Sequence, residues 1–525
     1  MVRRKYIRLL VASATLSTSL VTVVSFLNQN YIVAAVGAGV ALTLGFLYIA
    51  LVRGVRGVKL NLTYVSATQH MYSIATGEAG PRELVSVIAE TELYGFLSKV
   101  FRRIRILAER FGYGYTNATA MVAQTTKPPL RDFLMRCTEA FSSRRPRDYL
   151  EIETTTATEE YVGTFSRALD NLRLMGGIFI TFQSAVIFII MTLAILTVLL
   201  ADVTVVYVAY VISLLSLITL FIGFRFMAPM EPFFYKGEDP PKYYKRFAFT
   251  LALSPLFIIP SLAVYVVVGP SLAFAILGVG MFLPGIFAFH LENFVNKVET
   301  YYPTFIKAVS EQLMSVTDLK SVLSYVLYME LGPLKNIVNK ALNRLRLGIS
   351  TEKVIDLLSS ETGSYLVFIA NRIFLDAFRR GGDLVEVGKK LSNFVVKILE
   401  LRKKQLSVAR SFGMTVLIMH PLIVILLVLL TSVLEFFSTS LVNLPFFTFG
   451  EIPMSFIELG NIVVVLLLSF LNALSISGVR GGFWGTVFLY AGVLLLLSAA
   501  SWFLTEEFLA KYFTKAFSTI QEMPI

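Results

Sequence analysis

Nine apolar runs of about 20 residues constrain this chain more than any other feature. They lie at 8–27, 31–52, 177–200, 203–224, 247–268, 271–290, 412–435, 459–478 and 484–504. A helix of about 20 residues matches the hydrocarbon thickness of a bilayer, roughly 30 Å. With 56% hydrophobic and 16% charged residues, the composition is also too apolar for a soluble protein of 525 residues. The sequence therefore predicts an all-α polytopic membrane protein with about nine transmembrane helices.

The distribution of basic residues predicts which side of the membrane each segment faces. If the runs alternate from a cytoplasmic N-terminus, 45 of the 47 Lys and Arg residues fall on the cytoplasmic side. Such an asymmetry orients proteins in the cell membrane. We therefore expect a multi-pass protein of the cytoplasmic membrane with its N-terminus inside. Because topology accounts for the net charge of +12, we expect no nucleic-acid partner.

Two long polar segments separate the apolar runs into blocks. Their apolar residues recur at helical spacing, and glycine, proline and capping residues interrupt them. We therefore expect two cytoplasmic helical-bundle units. The predicted order is an N-terminal transmembrane hairpin (1–52), a first unit (53–175), four spans with a short cytoplasmic loop at 225–246 (176–290), a second unit (291–411), and three C-terminal spans with a short external tail (412–525).

Helix boundaries are clearest in the second unit. Ser364 is a candidate N-cap. The pair Gly381-Gly382 ends a helical pattern, and Asp383 followed by Glu386 has the spacing of a capping box. These signals predict that a new helix begins just after the double glycine.

The two units also resemble diverged copies of one helical unit. Each contains a basic amphipathic helix that ends at glycine, and corresponding segments are about 234 to 238 residues apart. Where the second copy has Gly381-Gly382, the first has Arg145-Pro146-Arg147. Two interpretations stay open. Both positions are helix breaks that serve the same turn, or the glycines also form a surface that a partner approaches closely.

No set of residues in the sequence predicts catalysis. The segment from Gly382 to Lys390 resembles a phosphate loop only superficially, since its spacing is wrong, it lacks the required Ser or Thr, and no strand precedes it. Cys137 is the only cysteine and follows a helical apolar pattern, so we expect a buried thiol. We therefore expect neither enzyme activity nor a cofactor.

The three histidines are too dispersed to predict a metal site. His70, His290 and His420 lie in separate regions of the chain. His420 falls inside a predicted span with no carboxylate near it in sequence. We interpret it as a hydrogen-bonding residue of helix packing rather than a proton carrier.

Clusters of basic residues predict where a partner could dock. Two pairs flank the double glycine, and a further basic run lies in the first unit. Such clusters bind acidic protein faces or the headgroups of membrane lipids, or simply form solvated surfaces. The candidate docking residues are Arg379, Arg380, Gly381, Gly382, Lys389, Lys390, Arg102, Arg103 and Arg105.

The arrangement of spans and units resembles the type II secretion system F-domain family, in particular its archaeal branch of pilus and archaellum platforms. Three segments of the second unit carry the resemblance besides the topology. They are Gly332-Pro333-Leu334, Arg344-x-Arg346-x-Gly348-x-Ser350 and Arg380-Gly381-Gly382-Asp383-Leu384. The first unit departs from this pattern at Arg145-Pro146-Arg147.

This resemblance implies a function that the residues alone do not indicate. Platforms of this family have no active site. They couple a cytoplasmic hexameric secretion ATPase to the insertion of pilin-like subunits into a growing filament, and a homodimer would suit a platform that faces a hexamer. A secondary membrane transporter is the alternative, although the predicted spans hold few of the ionisable groups that ion-driven transporters use.

Overall fold

Helices make up nearly all of the chain that the structure describes. The structure is a computed structural model, and it describes residues 61–200, 203–229, 231–316, 318–436 and 453–521. The predicted N-terminal hairpin, 1–52, lies outside these ranges. No β-strand occurs within them, although an isolated antiparallel bridge pairs Phe234 with Ser364. The predicted all-α fold is thus confirmed for the described residues.

The described helices range in length from 8 to 55 residues. In chain order they are α1 (Leu62–Ala75), α2 (Pro81–Glu90), α3 (Phe96–Glu109), α4 (Tyr115–Gln124), α5 (Leu130–Ser142), α6 (Pro146–Leu200), α7 (Thr204–Met227), α8 (Lys242–Leu253), α9 (Ile258–Val267), α10 (Pro270–Ser315), α11 (Leu319–Val326), α12 (Leu334–Arg346), α13 (Thr351–Thr362), α14 (Tyr365–Arg379), α15 (Leu384–Phe436), α16 (Met454–Arg480) and α17 (Thr486–Gln521). Short 3₁₀ turns occupy Glu92–Tyr94 and Ser254–Phe257.

Seven helical segments of the described residues are long and apolar enough to cross a membrane. They are Pro146–Thr197, Thr204–Met227, Lys242–Val267, Pro270–Ser315, Leu384–Glu435, Met454–Arg480 and Thr486–Leu509. Each overlaps most of one of the seven apolar runs predicted between residues 177 and 504. These candidate spans indicate a multi-pass membrane protein.

Three of the long helices are polar at one end and apolar at the other. The helix α6 has 55 residues, α10 has 46 and α15 has 53. At about 1.5 Å per residue, α6 and α15 are each roughly 80 Å long, more than twice the thickness of a bilayer core. Each therefore belongs both to the polar bundle and to the membrane-spanning layer.

A single hydrophobic core joins the helices of the two predicted units. Its buried side chains come from residues 62–169 and from residues 298–401. Tyr64 and Phe133 of the first segment pack edge to face with ring centroids 5.0 Å apart, and Tyr302 of the second is fully buried. Since each segment covers part of the other's apolar surface, the polar helices form one continuous bundle.

The order of helices repeats within this bundle. Helices α2 to α6 recur as α11 to α15, and corresponding helices begin about 235 to 238 residues apart. For example, α2 begins at Pro81 and α11 at Leu319, while α6 begins at Pro146 and α15 at Leu384. The helix boundaries agree with the repeat predicted from the sequence.

In the membrane-spanning layer, α10 and α17 approach closely through glycines. A Cβ atom on Gly285 would lie 2.2 Å from the backbone nitrogen of Leu489, and one on Gly492 would lie 2.6 Å from that of Phe282. Small residues let apolar helices pack backbone against backbone, and van der Waals contact then holds them together in lipid.

We predict that Gly285→Leu destabilises the protein by about 1–3 kcal/mol, because the larger side chain must push α17 away from α10. Thermal unfolding of the full chain in lipid nanodiscs measures the effect. Gly223→Leu is the matched control, since a Cβ built on that helical glycine meets no described atom within 4 Å apart from its chain neighbours and the backbone of its own helix. Equal destabilisation by both substitutions would contradict the proposed role of the close contact.

Candidate functional site at the double-glycine turn

The double glycine forms the turn between α14 and α15, and it packs against the end of α1. Gly381 is exposed and has φ +72°, a backbone conformation that glycine adopts without strain. A Cβ atom on Gly382 would lie 3.0 Å from the carbonyl oxygen of Ser73 and 3.1 Å from Thr76 Oγ1. On the other side, a Cβ on Gly77 would lie 2.9 Å from the carbonyl oxygen of Arg380. The glycines therefore permit a close approach, and the approaching surface is the protein's own first unit.

The predicted capping box is half formed at the start of α15. Asp383 Oδ1 accepts a hydrogen bond from the Glu386 backbone N–H at 3.1 Å, as the spacing predicts. The second half is replaced by contacts to the first unit. The Asp383 backbone N–H donates to Thr76 Oγ1 at 3.0 Å, and the Glu386 carboxylate accepts from Tyr72 and Arg147. The helix start is thus capped partly by residues more than 200 positions away.

The helices α6 and α15 begin side by side and run in parallel. Besides the Arg147 contact, Lys390 Nζ lies 2.8 Å from Glu151 Oε1. Farther along, a Cβ on Gly176 would lie 3.0 Å from the ring of Phe412, whose centroid is 5.7 Å from that of Phe179. The two polar ends are therefore tied together before the helices enter the apolar layer.

A buried histidine bridges the same two units below this turn. His70 of α1 is fully buried, with Nδ1 2.9 Å from the hydroxyl of Tyr94 and Nε2 3.3 Å from Asp376 Oδ2 on α14. Arg372 Nε lies 3.3 Å from the same carboxylate oxygen. Burial lowers the pKa of His70 below its ordinary value of 6.5, against the opposing influence of Asp376. Burial acts to raise the pKa of Asp376, but its close contact with His70 and the nearby arginine charges outweigh this and lower it.

The candidate docking residues divide into paired and exposed side chains. Arg379 forms an ion pair with Glu352, Lys390 pairs with Glu151, and Arg105 Nη1 lies 2.8 Å from Glu90 Oε1. The side chains of Arg380, Lys389, Arg102 and Arg103 are exposed. The structure places these residues on two patches. One surrounds the double-glycine turn, and the other lies on α3, which packs against α2 and α4.

Other residues singled out in the sequence have structural surroundings. Ser364 caps α14, because its Oγ accepts from the Val367 backbone N–H at 3.1 Å. Cys137 is buried in the shared core, as predicted, and burial raises the pKa of its thiol. No group of three His, Cys, Asp or Glu residues in the described ranges could hold a metal ion.

Sequence reasoning did not find the groups that join the two units. Tyr72, Thr76 and Arg147 contact residues near position 385, and His70 contacts Asp376, over separations of more than 200 residues. Helical periodicity reports only which face a residue occupies. The pairing of distant faces has no local signal, although the helical repeat could have suggested that α6 and α15 lie together.

We predict that Glu386→Ala destabilises the polar bundle by about 1–3 kcal/mol, because Tyr72 and Arg147 both lose their acceptor. Hydrogen exchange of α1 and α15 in the full chain measures the loss. Glu400→Ala, at an exposed position of the same helix, is the control and should change little. The assignment is wrong if the two substitutions have the same effect.

The lowered pKa of His70 predicts a pH dependence of stability. The unfolded chain takes up a proton on this histidine near pH 6.5, whereas the folded protein takes it up only at lower pH. Stability from this group is therefore complete above pH 6.5 and is lost as the pH falls below it. Between about pH 7.5 and pH 5.5, we expect His70 to lower the free energy of unfolding of the unsubstituted protein by on the order of 1 kcal/mol. The substitution His70→Gln should remove this decrease. Chemical unfolding at several pH values measures the free energy of unfolding. If its slope against pH is the same in His70→Gln as in the unsubstituted protein, the prediction is wrong. His290→Gln, at an exposed position, should keep the slope of the unsubstituted protein.

Comparisons with known proteins place this arrangement in context. Two similar proteins are each named Flagella accessory protein J, one from Methanocaldococcus jannaschii, 22% identical over 353 residues, and one from Methanococcus voltae, 23% identical over 350 residues. Each match covers 63% of this chain and 62% of the relative, so the chain matches less than two thirds of either relative's length. No protein-family profile and no solved structure matches the chain. The protein is thus a distant homologue of archaeal flagella accessory protein J, which confirms its resemblance to the archaellum platform proteins.

Proposed function

We propose that the protein is the membrane platform of a type IV pilus-like assembly machine, of the archaeal pilus or archaellum class. In this proposal it couples a cytoplasmic secretion ATPase to the insertion of pilin-like subunits into a filament. The observation that carries the proposal is the continuity of α6, α10 and α15 from one polar core into the candidate spans. The homology to flagella accessory protein J supports the assembly-machine context.

Rigid continuity gives the proposed coupling a physical route. A continuous α-helix transmits a displacement along its axis, and three such helices leave the same bundle, with internal prolines at Pro284 and Pro303 of α10 and at Pro421 of α15. Since α6 and α15 are tied at their polar ends by Arg147–Glu386 and Glu151–Lys390, they would tilt or rotate together. We propose that the ATPase moves the polar bundle as one body, rather than flexing it at Gly381-Gly382.

A strap provides a further connection between the bundle and the spans. We use this name for residues 231–241, which follow α7 and lead into α8. The Tyr235 backbone N–H donates to Gly363 O at 3.0 Å, and the Asp239 backbone N–H donates to Ser360 Oγ at 2.9 Å. The Tyr235 ring stacks on Phe368 with centroids 3.7 Å apart. Movement of α13 and α14 would therefore pull on α7 and α8 as well.

Orientation follows from the charge asymmetry of the sequence. We propose that the polar bundle and the strap face the cytoplasm, with the N-terminus on the same side and the outward-facing segments poor in basic residues. A homodimer would present two such bundles to a hexameric ATPase, and the pilin-like subunits would be engaged within the membrane layer.

The ATPase would dock on exposed basic side chains near the double-glycine turn. Arg380 and Lys389 are exposed on either side of that turn, while Arg379 and Lys390 already pair with carboxylates of this chain. Arg102 and Arg103 on α3 offer a second contact. The glycines contribute by fixing the turn against α1 and not by contacting the partner.

The transporter alternative gains no support from the buried polar groups of the spans. His420 Nε2 lies 2.8 Å from Ser498 Oγ and 3.2 Å from Ser469 Oγ, and Asn472 Nδ2 lies 3.4 Å from His420 Nδ1. These hydroxyl and amide partners join α15, α16 and α17 in the manner of interhelical packing contacts. They match the helix-packing role predicted for His420.

We predict that the full chain in nanodiscs binds the cognate secretion ATPase and changes its rate of ATP hydrolysis. The charge reversals Arg380→Glu and Lys389→Glu together should weaken binding by about tenfold to a hundredfold, since two charge-assisted contacts are lost. The full chain is needed because a fragment of 291–411 would expose its side of the shared core. Titration of labelled ATPase and a steady-state ATPase assay measure both effects.

Arg131→Glu is the matched control, because Arg131 is an exposed basic residue of α5 outside both candidate patches. It should leave ATPase binding nearly unchanged. Absence of any binding or rate change with the unsubstituted protein would count against the platform function itself. Equal weakening by the control would instead count only against the proposed docking residues.

A further inference from the structure

A cavity of about 520 Å³ lies where the strap meets the candidate spans. Its walls come from the end of α7, the strap, the end of α16, the turn that follows it and the start of α17. Since α7, α16 and α17 are candidate spans that end or begin here, the cavity lies at the polar boundary of the apolar layer. Its volume is within the range of sites that hold small molecules.

One wall carries a positive charge that has no ion-pair partner among the described residues. Arg225 lies in the last turn of α7, and its Nη1 is buried with no hydrogen-bond partner among the described residues. A Cβ on Gly478 of α16 would lie 3.4 Å from this atom, so the guanidinium packs on α16 at a position that has no side chain. A partly buried guanidinium is costly unless an anion or a hydrogen-bond acceptor compensates it.

The neighbouring Arg480 shows what a compensated arginine looks like in this region. Its Nε lies 2.5 Å from Glu292 Oε1, and its Nη1 donates to the hydroxyl of Tyr490 at 2.8 Å. Glu292 also accepts from the Phe483 backbone N–H at 2.9 Å. These groups satisfy one another, so they leave Arg225 as the cationic group that the described cavity wall offers to a ligand.

Glu231, the acidic residue of the cavity wall, has a hydrogen-bond partner outside that wall. Glu231 Oε1 accepts from the Leu62 backbone N–H at 3.3 Å and its carboxyl group hydrogen-bonds with Tyr161. Burial raises the pKa of the Glu231 carboxyl group. The Leu62 backbone N–H that Glu231 accepts from lies outside the cavity wall.

The rest of the wall is largely aromatic and apolar. Phe233 and Phe234 of the strap face the turn that contains Phe483 and Trp484. The Phe234 and Phe483 rings lie edge to face with centroids 5.2 Å apart, and Trp484 is 57% exposed. Aromatic side chains of this kind concentrate at membrane interfaces, where one end meets the headgroups and the other meets hydrocarbon. A ligand with a phosphate at one end and apolar chains at the other would match both parts of this wall.

We propose that the cavity binds the phosphate headgroup of an anionic membrane lipid, with Arg225 as its counter-ion and Trp484 beside its apolar chains. A lipid held there would fill the gap between the strap and the α16–α17 turn, and would tie the spans to the polar bundle. This site is independent of the proposed filament function, since it is defined by the membrane boundary and not by an assembly partner.

Trp484 allows a direct test, because the chain has only two tryptophans. The full chain with Trp502→Phe is placed in nanodiscs of a zwitterionic lipid. It is then titrated with an anionic phosphatidylglycerol or with phosphatidylcholine, each brominated near the glycerol end of its chains. We expect the anionic lipid to quench Trp484 at about tenfold lower mole fraction, as one charge-assisted hydrogen bond to phosphate would give. Equal quenching by the two lipids overturns the proposal, and this comparison needs no change at Arg225.

Substitution of the arginine tests the residue assignment. Arg225→Gln should abolish the preference for the anionic lipid, whereas Arg225→Lys should keep most of it. Arg246→Gln, at an exposed basic position of α8, is the matched control and should keep it fully. A preference that survives in Arg225→Gln would overturn the role of this residue.

Inorganic phosphate separates a lipid site from a free-anion site. In lipid-free neutral detergent, we expect phosphate to leave Trp484 emission unchanged in the Trp502→Phe chain, because the apolar part of the ligand is missing. If phosphate alone shifts the emission in an Arg225-dependent way and the two lipids quench equally, the ligand is a free anion and the lipid assignment is wrong.

Discussion

The hydrophobic core shared by the two helical units is the constraint on which the rest of the structure depends. Residues 62–169 and 298–401 bury their apolar faces against one another, so either half alone would expose part of its apolar surface to water. Burial of each large apolar side chain contributes about 1.5–3 kcal/mol, far more than the exposed ion pairs at the edge of the bundle. Because α6 and α15 begin inside this core and α10 ends inside it, the directions of all three helices through the membrane layer are fixed together.

The double-glycine turn shows how polar contacts refine this packing. Glycine at 381 and 382 brings α14 and α15 close to the end of α1, and Thr76 then replaces part of the cap that α15 would otherwise supply for itself. The Glu386 carboxylate therefore accepts hydrogen bonds from Tyr72 and Arg147 rather than from the start of its own helix. These contacts set the angle between the two units after hydrophobic burial has brought them together.

The membrane side is organised by close approach and by links to the bundle. Glycines let α10 and α17 pack backbone to backbone, while the strap is hydrogen-bonded to α13 and α14. The cavity around Arg225 lies between the strap and the α16–α17 turn. In the proposed mechanism, a force on the polar bundle would reach the spans through α6, α10, α15 and the strap, and a lipid at Arg225 would stiffen the connection through the strap.

The sequence by itself determined the helical class, the apolar spans from residue 177 onward, the repeat and the Ser364 cap, because each depends on local periodicity or on neighbours a few residues away. The family resemblance also came from the order of segments and short motifs of the second unit. Only the tertiary structure decided that the units share one core, that Gly381-Gly382 packs on α1, and that His70 meets Asp376. The same holds for the pairing of Arg379 and Lys390 with carboxylates, and for Arg225, which has no ion-pair partner in the described part of the chain. These features depend on which distant faces meet, and helical periodicity gives the face of each residue without naming the surface that covers it.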